Sequence, residues 1–433
     1  MAIASPNTPT STSTSGTGQG YGAALATVTT LFFMWGFLTC LNDILVPHLK
    51  SIFDLNYTRV MLIQFAFFGA YFIFSIPSAK IIDSIGYQRS MVVGLLTMGV
   101  GAFLFVPAAS VPSYPLFLGA LIVLAAGITC LQVAANPYVT VLGKPETASS
   151  RLNLTQAFNS LGTFLAPFFG GLFILTAARK IEEIRALSPA DLQAYRLHEA
   201  ATVKMPYVGL GITLALLAIA IGSFKLPKIE HAQHQRGEKV NDSIWKHPNL
   251  VFGAIAIFVY VGAEVSIGSF LVNYFSQPEI GGLTEKVAAS FVAFYWGGAM
   301  IGRFIGSALL QKVKTGTLLG ICSICAAFLV MLSMLTSGHF AMYSIILVGF
   351  FNSIMFPSIF TLGVAELGPL TGDASGLLIM AIVGGAIIPV AQGWFADRIG
   401  IHHAFFLPVI CYLYILFFAL SGSKPNSERY AKV

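Results

Sequence analysis

The chain has 433 residues, of which 56% are hydrophobic and only 10% are charged, and its mean hydropathy is +0.79. Soluble domains carry roughly 25% charged residues, so this composition excludes an ordinary soluble protein and indicates many membrane-crossing helices. The net charge of +6 comes without a basic run rich in aromatic residues. We therefore assign the excess charge to membrane topology and expect no nucleic-acid partner.

The cysteines indicate neither a metal site nor a disulfide framework. All five, Cys40, Cys130, Cys322, Cys325 and Cys411, fall in apolar stretches. The CxxC spacing of the third and fourth has no second ligand pair nearby, so we expect buried thiols. We also expect no cofactor.

Apolar runs separated by short polar turns predict an all-α membrane protein. Residues 1–20 are rich in Ser, Thr and Gly and contain no Lys or Arg, which predicts a disordered tail rather than a cleaved signal peptide. A helix needs about 20 apolar residues to cross a bilayer, so the rest of the chain has room for about a dozen spans. The twelve predicted spans are 21–47, 58–82, 89–109, 114–142, 150–178, 205–225, 248–275, 284–310, 315–336, 339–368, 373–397 and 401–422.

A polar segment at 227–247 divides these spans into two groups of six. We predict an N-terminal six-helix bundle at 21–226, a cytoplasmic linker at this segment, a C-terminal six-helix bundle at 248–422 and a tail at 423–433. The charged insertion at 179–204 predicts a short surface helix, to which we assign no functional role.

Prolines and glycines recur at matched spacings in both groups, six residues apart in spans four and ten and four apart in spans five and eleven. The pairs are Pro137 and Gly143, Pro357 and Gly363, Pro167 and Gly171, and Pro389 and Gly393. Their order predicts an internal duplication, with a binding site between two pseudo-symmetric bundles near the middle of the membrane.

Carboxamide side chains form a stripe on each of the helices predicted for spans four and five. Gln132 and Asn136 are four residues apart, and Gln156 and Asn159 are three apart, so each pair lies on one helix face. Amides in apolar helices are costly unless they face a bundle interior or a watered cavity. The stripes favour a site for a neutral, polyhydroxyl solute, and the alternative is that the amides only tie helices together.

Two acids lie inside apolar spans, Asp43 in span one and Glu264 near the middle of span seven. An acid at a helix centre costs roughly 2.5–3.5 kcal/mol, so it persists only where it is neutralised, solvated or paired. We expect Asp43 to bind and release a proton together with the solute, and we call this the coupling proton. We expect Glu264 to accept hydrogen bonds from the solute, and Glu264 remains a second candidate for the proton. The alternatives are a permanently protonated structural acid, or a sodium ion bound by oxygens of Asn42 and Asp43.

Four residues complete the predicted solute site, and the first of them is Asn42 of span one. Tyr260 and Trp296 offer aromatic faces on which the C–H face of a sugar stacks. Asn352 is the only amide in span ten and is the predicted ligand from that helix.

The distribution of Lys and Arg predicts that both termini are cytoplasmic. With the N-terminus inside, fourteen of the 24 fall in inner loops and tails and nine in outer connections. The remaining one, Arg303, lies inside span eight and needs a counter-charge, for which we predict Glu366 at the inner end of span ten. That pair is either a conformational latch or a structural ion pair.

Four segments carry a family resemblance. The turn AKIIDSIGYQR, with Asp83 and Arg89, resembles the gating loop after span two of the major facilitator superfamily. The segments FFMWGFLTCLNDILVPHL, LQVAANPYVTVLG and RLNLTQAFNSLG resemble the fucose–proton symporter family across nearly the whole chain. At position 132 the fucose permease branch has an acid, whereas this chain has the amide Gln132. In this respect the chain resembles the glucose/galactose permease branch.

This resemblance implies the major facilitator fold and import of a neutral hexose by proton symport through alternating access. It implies Asp43 as a protonation site and Gln132, Gln156 and Asn159 as sugar ligands. A sodium-coupled symporter, a fucose-type permease and a membrane sugar sensor are the alternatives, and no constellation of nucleophile and base supports an enzyme. We expect a monomer in a lipid bilayer, in a bacterial inner membrane.

Overall fold

The computed structural model describes residues 18–53, 57–111, 113–173, 187–202, 204–224, 226–227 and 243–425. For some helical residues, 39–53 and 57–62 among them, it describes the backbone and not the side chains. Most of the predicted N-terminal tail, the middle of the linker and the end of the C-terminal tail lie outside the described residues.

The described part of the first half, the N-half, consists of seven α-helices and one short 3-10 turn. The helix α6 confirms the surface helix predicted in the charged insertion, and α1 extends beyond both predicted ends of span one. The helices are α1 Gly18–Phe53, α2 Tyr57–Ile85, α3 Tyr87–Ser110, α4 Tyr114–Val141, α5 Ala148–Phe173, α6 Pro189–Thr202 and α7 Lys204–Ser223.

The second half, the C-half, begins with three uninterrupted helices and continues with three interrupted spans. Spans ten, eleven and twelve were each predicted as one helix, and each is divided into shorter segments. The helices are α8 Pro248–Phe275, α9 Glu285–Leu309, α10 Thr315–Leu335, α11 Gly338–Asn352, α12 Met355–Gly363, α13 Thr371–Met380, α14 Gly384–Ile399, α15 Ile401–Ala404 and α16 Phe406–Phe417.

Proline chemistry explains the break in span ten. Pro357 has no N–H to donate to the carbonyl of Ser353, and its ring clashes with a carbonyl four residues earlier in a regular helix. The chain accordingly leaves α11 at Asn352 and resumes a helix at Met355. Pro137 also lacks an N–H to donate within α4, but there the helix continues through the proline.

Eleven stretches of the described residues are long and apolar enough to cross a membrane. The helix α5 is not among them, because Arg151, Asn153, Gln156 and Asn159 lower its hydropathy. Together with α5 they account for the twelve predicted spans. The fold class, an all-α membrane protein with two six-helix bundles, is confirmed.

The two halves meet along one surface, which we call the seam, where α2, α4 and α5 pack against α9, α12 and α13. Neutral side chains bond across it near the helix ends. Ser150 and Ser307 each donate to the other's backbone oxygen, at 2.7 and 3.0 Å. Ser149 shares a 2.6 Å hydrogen bond with the Thr361 hydroxyl. These bonds close the end of the molecule that carries the connections 142–147, 310–314 and 364–370, hereafter the linker end.

Within the N-half, α1 and α5 cross at two glycines. A Cβ atom added at Gly36 would lie 2.0 Å from the backbone oxygen of Asn159, and one added at Gly162 would lie 2.2 Å from that of Phe33. No larger residue fits without separating the helices. The two helices are therefore in direct backbone contact over more than one turn.

Candidate functional site

The polar site begins with Gln132 on α4, which is 2% exposed. Its Nε2 donates a 2.7 Å hydrogen bond to the hydroxyl of Tyr71 on α2. Tyr71 is itself buried and packs against the rings of Phe67 and Phe68. Among the described residues the Gln132 carbonyl oxygen accepts no hydrogen bond, so the amide is oriented with its acceptor still available.

The two amides of α5 have different surroundings. Gln156 is 5% exposed, and its side chain makes no hydrogen bond to any residue that the structure describes. Asn159 is half-buried, and its Nδ2 donates to the backbone oxygen of Phe32 on α1 at 2.9 Å. Gln156 is thus the available amide, while Asn159 uses its donor to tie α5 to α1.

Asn136 lies deeper than the other predicted ligands. It is fully buried, and neither its Nδ2 nor its Oδ1 has a partner among the described residues. One turn earlier, Val133 accepts a hydrogen bond from Ser375 of α13 across the seam. Asn136 therefore lies in the closed part of the molecule and cannot contact a solute in this conformation.

In the C-half, a carboxylate and two tyrosines form one network around the end of α11. Tyr260 donates to Glu264 Oε1 at 2.8 Å and lies 3.1 Å from the backbone oxygen of Asn352. The Asn352 Nδ2 donates to the hydroxyl of Tyr295 at 2.8 Å. Glu264 is half-buried, whereas Tyr260, Tyr295 and Asn352 are buried. Glu264 is therefore the member of this network with accessible surface.

This arrangement changes the predicted roles of two residues. Asn352 is 0% exposed and uses its donor on Tyr295, so it positions the tyrosines and does not offer itself to a solute here. Tyr260 is 1% exposed and acts through its hydroxyl on Glu264. Trp296 is 41% exposed, and its ring is nearly perpendicular to that of Tyr295 at a centroid distance of 5.1 Å, so part of its surface remains available.

Asn42 and Asp43 lie in α1, in the part of that helix whose side chains are outside the described residues. Their predicted roles as ion and sugar ligands remain predictions.

Comparison with known proteins identifies the family. The Major Facilitator Superfamily pattern matches residues 23–388. The chain belongs to the major facilitator superfamily. It is 54% identical to the glucose/galactose transporter of Brucella abortus over 92% of this chain and 94% of the relative. It is 34% identical to the L-fucose-proton symporter of Escherichia coli over 92% of this chain and 93% of that protein.

Solved structures agree with this membership. The E. coli fucose:proton symporter FucP superposes with a TM-score of 0.87 at 32% identity, and FucP in the outward conformation superposes with 0.86 at 33%, each over 94% of this chain and all of the other. The predicted resemblance to the fucose–proton symporter family and its glucose/galactose branch is confirmed. The relatives carry transporter names, which also confirms that the chain is not an enzyme.

The turn between α2 and α3, which resembles the gating loop of the major facilitator superfamily, lies at the linker end. A Cβ added at Gly372, in the first turn of α13, would lie 3.1 Å from Oδ1 of Asp83. A carboxylate at a helix N-terminus is favourable, because the unpaired N–H groups there carry partial positive charge. Arg89 lies exposed near the start of α3. The gating roles of Asp83 and Arg89 remain predictions.

The predicted ion pair between Arg303 and Glu366 is absent from this conformation. Arg303 donates from Nε to Ser353 O at 3.3 Å and from Nη1 to the hydroxyl of Ser160 on α5. It lies six residues before the end of α9, about 9 Å along the helix. Glu366 is exposed in the connection after α12, with φ 61°. Arg303 instead lies within electrostatic reach of Glu264.

Sequence reasoning missed Tyr71 and Ser160, which orient Gln132 and Arg303. It considered Tyr295 only as a surface for sugar stacking and missed its hydrogen bond to Asn352. A hydroxyl in an apolar span was the only available signal, and many Ser, Thr and Tyr residues share it.

Proposed function

We propose that the protein imports a neutral hexose by proton symport through alternating access. The observation that carries the proposal is the presence of available hydrogen-bonding groups in both halves, the Gln156 amide in one and the Glu264 carboxylate in the other. Sugar hydroxyls both donate and accept, so they suit an amide on one side and a carboxylate on the other. The name of the Brucella relative, a glucose/galactose transporter, supports a hexose.

Proton coupling is supported by the name of the E. coli relative, a fucose-proton symporter. We assign the coupling proton to Asp43. One charge moving through about 100 mV releases roughly 2.3 kcal/mol, and a tenfold gradient requires about 1.4 kcal/mol. One proton therefore sustains about fortyfold accumulation from voltage alone. Sodium coupling through Asn42 and Asp43, or a fucose-type substrate, are the alternatives.

We further propose that the transporter works as a monomer in a bacterial inner membrane with both termini in the cytoplasm. The excess of Lys and Arg in the connections at the linker end supports this orientation. On this assignment the linker end faces the cytoplasm, and the conformation described here is closed to the cytoplasm.

Uptake into proteoliposomes tests the proposal. With an inward proton gradient and a negative interior, labelled glucose or galactose is expected to accumulate, and an imposed sodium gradient alone is expected to have no effect. Accumulation with sodium alone would replace the proton by sodium. Absence of hexose uptake under both gradients would overturn the proposal, and binding without counterflow would favour a sugar sensor.

The two α5 amides give a matched pair of predictions. Gln156→Ala is expected to raise the half-saturation constant about tenfold, because a sugar hydroxyl loses a partner worth about 1–3 kcal/mol, and to leave thermal stability unchanged. Asn159→Ala is expected to lower the unfolding temperature, because the bond to Phe32 O is lost. Counterflow and thermal unfolding on both variants measure the difference. If Gln156→Ala unfolds early with normal affinity, that amide only ties helices together.

A further inference from the structure

The prolines repeated in spans four and ten each leave a backbone carbonyl without its helical partner. In a regular helix the N–H of each residue bonds the carbonyl four residues earlier, and proline has no N–H. Pro137 therefore frees the oxygen of Val133, and Pro357 frees that of Ser353. A freed carbonyl inside a membrane protein needs another donor, because the hydrocarbon region supplies none.

Both freed carbonyls are bonded by side chains at the seam. Ser375 of α13 donates its hydroxyl to Val133 O at 2.9 Å, and this bond joins the C-half to the N-half. Arg303 donates a hydrogen bond from Nε to Ser353 O at 3.3 Å. The same guanidinium donates from Nη1 to the Ser160 hydroxyl in the other half. Val133, Ser375, Ser353 and Ser160 are all buried.

We propose that Pro137 and Pro357 are positioning residues of the seam. Each frees one carbonyl, and that carbonyl fixes the polar side chain that holds the two halves together when the linker end is closed. An ordinary residue at 137 would donate its N–H to Val133 O inside α4, so Ser375 would share that oxygen with a helical donor and bind it less strongly. This chemistry gives the repeated proline a role in both halves. The inference rests on the proposed alternating access.

The chain contains a matched control. Pro107 in α3 also frees a carbonyl, that of Phe103, but both residues are exposed. The helix α3 packs chiefly on α2, α4, α6 and α7, all within the N-half. Replacing Pro107 therefore restores a helical hydrogen bond without affecting the seam.

The test is a distance measurement on the full chain in lipid nanodiscs, without sugar. Spin labels replace Lys144 and Lys312, which are exposed at the linker end in opposite halves, in a background whose native cysteines are substituted. Ser375→Ala is expected to raise the population with a long label distance about three- to tenfold, because one hydrogen bond of the closed conformation is lost. Ser375→Thr, which keeps the hydroxyl, is expected to restore the closed population.

The decisive variant combines Ser375→Ala with Pro137→Ala. Because Pro137→Ala already weakens the same bond, the double variant is expected to open no further than Ser375→Ala alone, and Pro107→Ala is expected to change nothing. If the two substitutions act independently, so that their effects on the long-distance population multiply in the double variant, the proposal is overturned. An increase of that population in Pro107→Ala would also overturn it. If Pro137→Ala does not fold, Pro357→Ala with Ser160→Ala provides the same cycle at the second carbonyl.

These measurements separate the inference from the proposed function. The label distances require no sugar and no ion gradient. If the effects of the two substitutions on these distances multiply, the role of the prolines is refuted even when hexose uptake is normal. Failure of uptake in the wild-type protein refutes the proposed function, whatever the label distances.

Discussion

Asp43→Asn is expected to abolish uphill sugar uptake and to retain sugar exchange. The accumulation ratio should fall from about fortyfold, the limit set by one proton at 100 mV, to unity. Asparagine imitates the protonated acid, so the loaded carrier still changes conformation but cannot release a proton. Uptake under an imposed proton gradient and counterflow without one, on the same proteoliposomes, measure the two properties separately.

The matched control is Asp191→Asn. Asp191 lies on the surface helix α6, where its carboxylate accepts a 2.6 Å hydrogen bond from Ser188, and we assign it no transport role. Its removal changes the protein's charge by the same amount and is expected to leave accumulation intact. An Asp43→Asn protein that still concentrates sugar would show that another group carries the coupling ion.

Glu264→Gln is expected to cost affinity more than coupling. The carboxylate is half-buried, and its Oε1 is held by Tyr260, so its other lone pairs remain available to sugar hydroxyls. Hydrogen bonds to charged groups are worth about 1.5–3 kcal/mol, which predicts a rise of about tenfold or more in the half-saturation constant. Uptake measured over a range of sugar concentrations gives that constant, and the accumulation ratio at saturating sugar gives coupling.

Glu279→Gln serves as the control for this change, because Glu279 is exposed in the connection after α8. It should leave both quantities unchanged. If Glu264→Gln keeps normal affinity but no longer accumulates sugar, the assignment of roles to Asp43 and Glu264 is refuted, and opposite phenotypes of the two variants would reverse it. Wild-type behaviour in both measurements would exclude Glu264 from the site.

The helical spans and the amide faces of α4 and α5 could be predicted because both depend on local sequence. The length of an apolar run determines whether a helix crosses the bilayer, and spacings of three or four residues place Gln132 with Asn136, and Gln156 with Asn159, on one face. The same spacing cannot show how far each face is from the seam. Asn136 and Gln156 fit the pattern equally well, yet Asn136 is the one that is fully enclosed, with no partner for its amide among the described residues.

The partners of these side chains could not be predicted, because they depend on the register between helices far apart in the chain. Gln132 and Tyr71 are 61 residues apart, and Arg303 and Ser160 are 143 apart. Charge alone suggested Glu366 for Arg303. In the folded chain a serine hydroxyl and a backbone oxygen freed by proline satisfy the guanidinium.

The glycine crossing of α1 and α5 determines which distances in the transporter change during its cycle. Because Gly36 and Gly162 bring the two backbones into direct contact, α1 and α5 have no room to slide or tilt against each other. We expect them to move as one rigid body, which keeps the backbone positions of Asp43 and Gln156 at constant separation in every conformation. The proposed protonatable group and the proposed sugar ligand of the N-half then travel together, and we expect the displacement that moves the sugar to occur between this pair and the helices of the C-half.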